Sequence, residues 1–165
     1  MSPALSDLNS FDQARFIEAV GWVFEHSPWV AERAWLKRPF ASLENLRDAM
    51  KAAVETASPE EQLALLRSHP DLGTRARIST ASTAEQSAAG LNHLTSEEFE
   101  RLQRLNSAYR SKFSFPFLFA VKGSTKYDVL DALERRLGAI PAAEFQEALR
   151  QIYRIAEFRL SETIE

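Results

Sequence analysis

The sequence predicts an all-α protein of roughly seven to nine helices, folded as a single compact domain over residues 1–165. Three observations predict this class. Apolar residues recur at the spacing of amphipathic helices, several segments begin with helix-capping sequences, and no pair of alternating apolar and polar segments flanks a turn, as a β-hairpin requires. A chain of 165 residues has the usual length of one domain and can bury a core without disulfides.

The first third of the chain predicts three helices. Apolar residues at helical spacing define the first over residues 11–24, and Pro28 interrupts it. A short second helix over residues 29–36 ends before Pro39, because a residue that precedes proline disfavours helical backbone. The third helix covers residues 43–56.

Capping sequences mark the next three helix starts. Residues 58–61, Ser-Pro-Glu-Glu, combine a capping serine, a proline at the first helical position and the glutamate of a capping box, and this helix should stop near Ser68. Residues 82–85 and 95–98 predict two further capping boxes. The last of these opens a long helix that continues to about Phe113.

The final third begins with an apolar segment and ends with two helices. Residues 115–121, Phe-Pro-Phe-Leu-Phe-Ala-Val, carry no charge and must be buried. Pro116 and the lack of partner strands favour a buried extended loop over a strand. A helix over residues 126–137 stops at Gly138, and Pro141 starts the last helix.

Composition excludes several classes of function. The net charge of −3 argues against a nucleic-acid protein, and the absence of cysteine excludes disulfides and thiolate sites and fits a reducing cytoplasm. We see no signal peptide, and the longest apolar stretch, residues 113–121, is too short to cross a membrane. The three histidines lack metal-site spacing, so no metal is expected.

Two segments contain side chains suited to proton transfer. His69 falls at a helix end, where Pro70 directs the chain away, and an imidazole gives or takes a proton near neutral pH. Alternatively, the helix dipole alone favours a histidine at this place. In the second segment Ser82, Glu85 and Gln86 lie within little more than one turn among small residues, which leave room for a ligand. Alternatively, Glu85 only completes a capping box.

Two other segments contain groups that need partners. If residues 115–121 are extended, their backbone N–H and C=O groups must bond to protein, water or a ligand. In the last helix Arg159 lies on the same face as the apolar residues Phe145, Leu149, Ile152 and Ala156, whereas Arg154 points away. Arg159 must therefore pair with an anion or reach solvent.

Taken together, these segments resemble the 2-oxo-4-hydroxy-4-carboxy-5-ureidoimidazoline (OHCU) decarboxylase family. Their order and spacing agree with the family from about residue 10 to the end of the chain. The matching residues are His69-Pro70-Asp71-Leu72-Gly73, Ser82-x-x-Glu85-Gln86-x-x-Ala89-Gly90-Leu91, Phe115-Pro116-Phe117 and Ile155-Ala156-x-x-Arg159-Leu160.

The resemblance implies an all-α, cofactor-free decarboxylase that converts OHCU to (S)-allantoin with release of CO2 in urate degradation. It makes a homodimer and a small anionic substrate expected, while the composition predicts a cytoplasmic protein with no nucleic-acid or membrane partner. By family pattern His69 transfers a proton, Glu85 is its acidic partner and Arg159 is an active-site arginine. The implied substrate-binding residues are Pro70, Ser82, Thr83, Ala84, Glu85, Gln86, Phe117, Leu118, Phe119, Ala120 and Val121. The sequence departs from the family at residues 118–121, where smaller or different apolar residues are frequent.

Two alternatives remain at this stage. His69-Pro70-Asp71 between two helices is also the signature of J-domain co-chaperones, although Leu72 follows here where those proteins usually have lysine. The other alternative is a chain that has kept the family fold but has lost the activity or serves only as a partner of urate-pathway enzymes.

Overall fold

The computed structural model describes residues 2–73 and 80–165. These residues form nine α-helices, one short 3-10 helix at Gly21–Val23 and no strand, which confirms the predicted all-α class. The helices are α1 (Leu5–Ser10), α2 (Gln13–Val20), α3 (Trp29–Trp35), α4 (Leu43–Glu55), α5 (Pro59–Arg67), α6 (Thr80–Ala88), α7 (Ser96–Phe113), α8 (Lys126–Arg136) and α9 (Pro141–Thr163).

Two of the predicted helix starts are confirmed as complete capping boxes. The N–H of Glu61 donates to Ser58 Oγ, and the N–H of Ser58 donates to the Glu61 carboxylate, both at 3.1 Å. Thr95 and Glu98 make the same pair of hydrogen bonds at 3.1 and 2.9 Å. Each box satisfies backbone N–H groups that the first helical turn leaves without partners.

The capping box predicted at residues 82–85 is wrong. Helix α6 already includes Thr80 and Ala81, so Ser82 lies inside the helix, where it is buried. A residue within a helix cannot cap its start, because its own N–H and C=O follow the helical pattern. The six-residue helix α1 was not predicted, since it is too short to show a periodic apolar face.

Contacts divide the chain into two compact units. The first comprises Met1–Ser68 and Tyr153–Glu165, and the second comprises His69–Ile152. That residues 1–165 form one domain stays a prediction. In the first unit α3 contacts both α2 and α4. Fully buried side chains of this unit include Leu8, Phe16, Val20, Leu46, Met50, Leu65 and Leu66.

The second unit contains α6, α7, α8 and the first part of α9. Residues 115–121 belong to neither helix nor strand and are buried except for the half-buried Phe119, as predicted for a buried loop. The ring of Tyr109 meets the rings of Phe115 and Phe117 edge-on, with centroids 5.9 and 5.3 Å apart. Edge-to-face contacts of this kind stabilise an aromatic core beyond the area buried.

None of the described helices combines the length and the apolarity that crossing a membrane requires.

Candidate active site

His69 lies in a bend after α5 and is buried, with 7% of its surface exposed. It is the first residue of the second unit. Pro70 follows, and its ring holds φ at about −65°, which restricts the direction in which the chain leaves the histidine. The predicted position of His69 after a helix end is confirmed.

Two buried side-chain amides hold the backbone of residues 69–73, which we call the His69 loop. Nδ2 of Asn106 in α7 donates to the carbonyl oxygen of Leu72 at 3.0 Å. The N–H of Gly73 donates to Oε1 of Gln86 in α6 at 2.9 Å. Asn106 and Gln86 are 5% and 7% exposed, so water competes little for these bonds. The loop is thereby attached to both helices within the second unit.

The residues of α6 that the resemblance assigns to substrate binding differ in burial. Ser82 and Gln86, one turn apart, are buried, Glu85 is half-buried, and Thr83 and Ala84 are exposed. Gln86 uses its side-chain oxygen to hold the His69 loop, a role that sequence reasoning did not assign to it.

Two backbone groups of residues 117–121 find partners in buried side chains of the second unit. Nη1 of Arg136 donates to the carbonyl oxygen of Leu118 at 2.6 Å. The N–H of Ala120 donates to Oε1 of Gln151 at 3.0 Å. The expectation that this segment needs partners outside itself is therefore confirmed for these two groups, and the partners are protein side chains.

Arg136 belongs to a buried ionic cluster. Its Nε donates to Oε1 of Glu144 at 2.7 Å, and Tyr109 donates its hydroxyl to the same oxygen at 2.5 Å. The guanidinium carbon of Arg136 lies 4.5 Å from the centroid of the Phe117 ring. Burial, followed by the hydrogen bond to Glu144, raises the pKa of Tyr109 well above its ordinary value. The phenol therefore stays protonated and donates to the carboxylate.

Arg159 belongs to the first unit and is 3% exposed, as its position on the apolar face of α9 predicts. Its Nη2 donates to Oε1 of Glu25 at 2.8 Å, and its Nη1 donates to the carbonyl oxygen of Val23 at 3.3 Å. The side chain of Glu25 is only 1% exposed. The sequence left open whether Arg159 pairs with an anion or reaches solvent. In the structure it pairs with the carboxylate of Glu25.

Hydroxyl groups fix the backbone that carries Glu25. Ser27 Oγ and Ser68 Oγ both donate to the carbonyl oxygen of Glu25, each at 2.8 Å. The intervening His26 has φ of +47°, a left-handed conformation that non-glycine residues rarely adopt. Ser68 is also the residue that precedes His69 in the chain.

A cavity of about 530 Å³ opens beside Gly73 in the second unit. Its volume suits a small molecule. Thr83 and Gln86, from the predicted substrate-binding residues, line it together with residues 91–92 and the start of α7. Among the described residues, His69 and Glu85 do not line this cavity.

Sequence reasoning missed five buried polar residues around these segments: Glu25, Asn106, Arg136, Glu144 and Gln151. Asn106 follows Leu102 by four residues, and Arg136 follows Leu133 by three, so both lie on apolar faces of their helices. The same sequence signal that identified Arg159, a polar residue on the apolar face of a helix, would have identified these two. Glu25 lies outside a helix, where no periodicity marks it.

Within residues 2–73 and 80–165, no group of three or more His, Asp or Glu side chains could hold a metal ion.

The comparison with known protein families agrees with the family resemblance that the sequence motifs indicated. The model of the OHCU decarboxylase family matches residues 9–161. The chain belongs to the OHCU decarboxylase family. The match includes the His69 loop, so it replaces the J-domain interpretation of His69-Pro70-Asp71.

Individual OHCU decarboxylases and related structures are similar over nearly the whole chain. The 2-oxo-4-hydroxy-4-carboxy-5-ureidoimidazoline decarboxylase of Haloferax volcanii is 49% identical over 158 residues, which cover 96% of this chain and 94% of that protein. The crystal structure of (S)-allantoin synthase aligns with a TM-score of 0.78 at 35% identity, covering 98% of this chain and 54% of that one. A crystal structure of OHCU decarboxylase in the presence of (S)-allantoin shares the fold, with a TM-score of 0.69 at 21% identity over 81% of this chain and 89% of that one.

Proposed function

We propose that this protein is a cofactor-independent carboxy-lyase that converts OHCU to (S)-allantoin and CO2 in urate degradation. The observation that carries the proposal is the match of the OHCU decarboxylase family to residues 9–161, a range that includes His69, Glu85 and Arg159. The burial of His69, on a loop held by two buried amides, supports it, because proton transfer needs a positioned group.

The chemistry needs acid–base groups rather than an electron-accepting cofactor. Breaking the bond between the ring carbon and the carboxylate releases CO2 and leaves an electron pair on that carbon. The C=N double bond at the adjacent, ureido-bearing ring carbon accepts this pair, and its nitrogen takes up a proton. The hydroxyl group on the first carbon then loses its proton and becomes a carbonyl, while the ureido-bearing carbon gains a proton to complete allantoin. The face of that carbon that receives the proton sets the handedness of the product.

We assign a role in these steps to each of three side chains. His69 delivers the proton to one face of the ring carbon that carries the ureido group. Glu85 accepts a hydrogen bond or proton from the substrate hydroxyl. Arg159 binds the anionic oxygens of the substrate, since a planar guanidinium can make two parallel hydrogen bonds to a carboxylate. The buried Glu25 holds this guanidinium in one orientation.

We assign substrate binding to Pro70 and to residues 82–86 and 117–121. Gln86 offers its amide NH2 group, since its oxygen accepts from Gly73. In the last segment Leu118 and Ala120 each use one backbone group for a protein partner. Phe119, which lies between them and is less buried, is proposed to turn its N–H and C=O groups toward the substrate.

We further propose that the enzyme forms a homodimer, as the family resemblance implies, and that it works in the cytoplasm. The absence of cysteine fits a reducing compartment. Analytical ultracentrifugation of the purified chain should give twice the mass of 18.6 kDa. A single species with the mass of one chain at micromolar concentration would exclude the dimer.

The decisive experiment measures the rate and the handedness of allantoin formation. OHCU is generated fresh from urate, and circular dichroism is recorded with and without the protein. Uncatalysed decay gives racemic allantoin, so a rapidly growing signal of the S enantiomer supports the proposal. An unchanged rate and no net handedness would reject it in favour of a chain that has lost the activity.

Variants of the two proposed acid–base residues test the assignment of roles. His69→Ala and Glu85→Ala should each lower kcat about 10²–10⁴-fold, the usual contribution of one positioned acid or base. Both are measured in the same dichroism assay after folding has been checked by thermal denaturation. If both variants keep near-normal turnover and S selectivity, the assignment is wrong.

A further inference from the structure

Asn106 holds the His69 loop from a position that an apolar residue would otherwise occupy. The buried side chains of α7 are Leu102, Leu105, Asn106, Tyr109 and Phe113, so the amide lies on the apolar face of the helix. Within the described part of the chain, Oδ1 of Asn106 is buried and has no hydrogen-bond partner. A buried oxygen without a partner destabilises the fold. The amide therefore serves a purpose other than packing.

The geometry of the amide shows what that purpose is. Its Nδ2 donates to the Leu72 carbonyl at 3.0 Å, while Gln86 accepts from the next residue, Gly73, at 2.9 Å. The peptide group between Leu72 and Gly73 is thus held at both ends: its carbonyl accepts from α7, and its N–H donates to α6. A third contact, between Arg110 and Asp71 at 3.1 Å, is largely exposed to solvent and contributes little. The two buried amides therefore fix the end of the loop that begins with His69.

We propose that Asn106 is a positioning residue of the decarboxylase, which places His69 by fixing the carbonyl group of Leu72. This inference rests on the proposed function of His69. Asn106 acts through the loop and does not contact substrate, so it should govern kcat rather than KM. A small displacement of a catalytic group, of about 1 Å, can lower a rate about 100-fold.

The test uses two substitutions of nearly equal size. Asn106→Leu removes the donor at every pH. Asn106→Asp keeps a donor only while its carboxyl group is protonated, because an ionised carboxylate accepts hydrogen bonds and repels the Leu72 carbonyl. We expect Asn106→Leu to lower kcat about 10–100-fold with little change in KM. The activity of Asn106→Asp relative to the unchanged protein should be highest at low pH and should fall as pH rises.

The control is Val129→Ala, which removes buried apolar atoms from α8 in the same unit and keeps both side chains that hold the His69 loop. It should lower the melting temperature and leave the pH profile of kcat unchanged. A pH profile of Asn106→Asp that parallels that of the unchanged protein, or a folded Asn106→Leu variant with normal kcat, would overturn the inference.

Hydrogen exchange separates this inference from the proposed function. In Asn106→Leu, the amide of Gly73 should exchange at least about tenfold faster than in Val129→Ala, because one of the two hydrogen bonds that fix this part of the loop is lost. If exchange in the loop is equal in the two variants, Asn106 does not position the loop. If exchange differs but the unchanged protein does not accelerate OHCU decay, the positioning holds and the proposed function fails.

Discussion

Gly73 ends the His69 loop in a conformation that a side chain would disturb twice. Its φ of +71° lies in the left-handed region, which glycine adopts without strain. A Cβ atom added there would lie 2.4 Å from Cδ2 of Leu102, a residue with no exposed surface. Gly90 has a similar φ of +84° but no described atom within 4 Å of an added Cβ. A substitution at Gly90 therefore tests backbone strain alone, whereas one at Gly73 adds steric overlap.

Alanine at these two positions should have different effects on stability. Gly90→Ala should lower the free energy of unfolding by about 1–2 kcal/mol, the cost of a left-handed alanine. Gly73→Ala adds overpacking against Leu102, so its total should be about 2–5 kcal/mol. It should also lower kcat, since the loop carries His69. Urea denaturation and the dichroism assay measure both effects, and equal losses in the two variants would show that Leu102 moves aside.

The helices α7, α8 and α9 each have a polar residue on the apolar face that binds a distant part of the chain. Asn106 of α7 bonds to Leu72, and Arg136 of α8 bonds to Leu118. Arg159 of α9 bonds to Glu25. The helices thus provide rigid supports, and single polar side chains on them hold the irregular segments. Irregular backbone that is buried needs such partners, because it lacks the regular hydrogen bonds of a helix.

Substitution of Arg136 tests how strongly one such helix holds residues 117–121. Arg136→Met leaves the carboxylate of Glu144 buried without its cation, so the free energy of unfolding should fall by about 3–5 kcal/mol. The double variant Arg136→Met with Glu144→Leu should recover much of this loss, because a buried ion pair is often replaceable by apolar residues. Both are measured by chemical denaturation.

The matched control is the exposed ion pair between Arg101 and Glu134, whose side chains are 33% and 64% exposed. Arg101→Met should change the free energy of unfolding by at most about 1 kcal/mol, as is usual for a surface pair. An Arg136→Met variant no less stable than Arg101→Met would show that the buried cluster does not hold the segment.

At the scale of the whole molecule, the half-buried Tyr153 makes stability depend on alkaline pH. Burial, together with the nearby Glu55 carboxylate, raises the pKa of Tyr153 to about 12. An unfolded tyrosine titrates at about pH 10. Above that pH the unfolded chain loses a proton that the native state retains, so unfolding becomes more favourable. This contribution is fully present below about pH 10 and is lost as pH rises toward the pKa of the folded state.

We therefore expect the free energy of unfolding to fall between about pH 10 and pH 12. Tyr153→Phe should reduce that fall, because phenylalanine has no proton to lose. Tyr127→Phe, which changes a ring that is 61% exposed, is the control. Denaturation curves at a series of pH values measure the slope, and an identical slope in Tyr153→Phe and the unchanged protein would contradict the expectation.

The amino-acid sequence by itself determined the helix class, most helix ends and the family. These features depend on local interactions: the capping boxes at Ser58 and Thr95 join residues three positions apart. The motifs around His69, Glu85 and Arg159 likewise needed only residue types and order. The error at Ser82 arose because the same residue types that cap a helix can also lie inside one.

Only the tertiary structure decided which groups the buried polar side chains bind. Periodicity placed Arg159 on an inward face, but its partner Glu25 is 134 positions away in sequence. The same holds for Asn106 and Leu72, which are 34 positions apart. A buried charge or amide requires a partner, and a polar residue on an apolar helix face predicts that such a partner exists. The partner itself is set by how helices and loops pack, which brings distant residues within hydrogen-bonding distance.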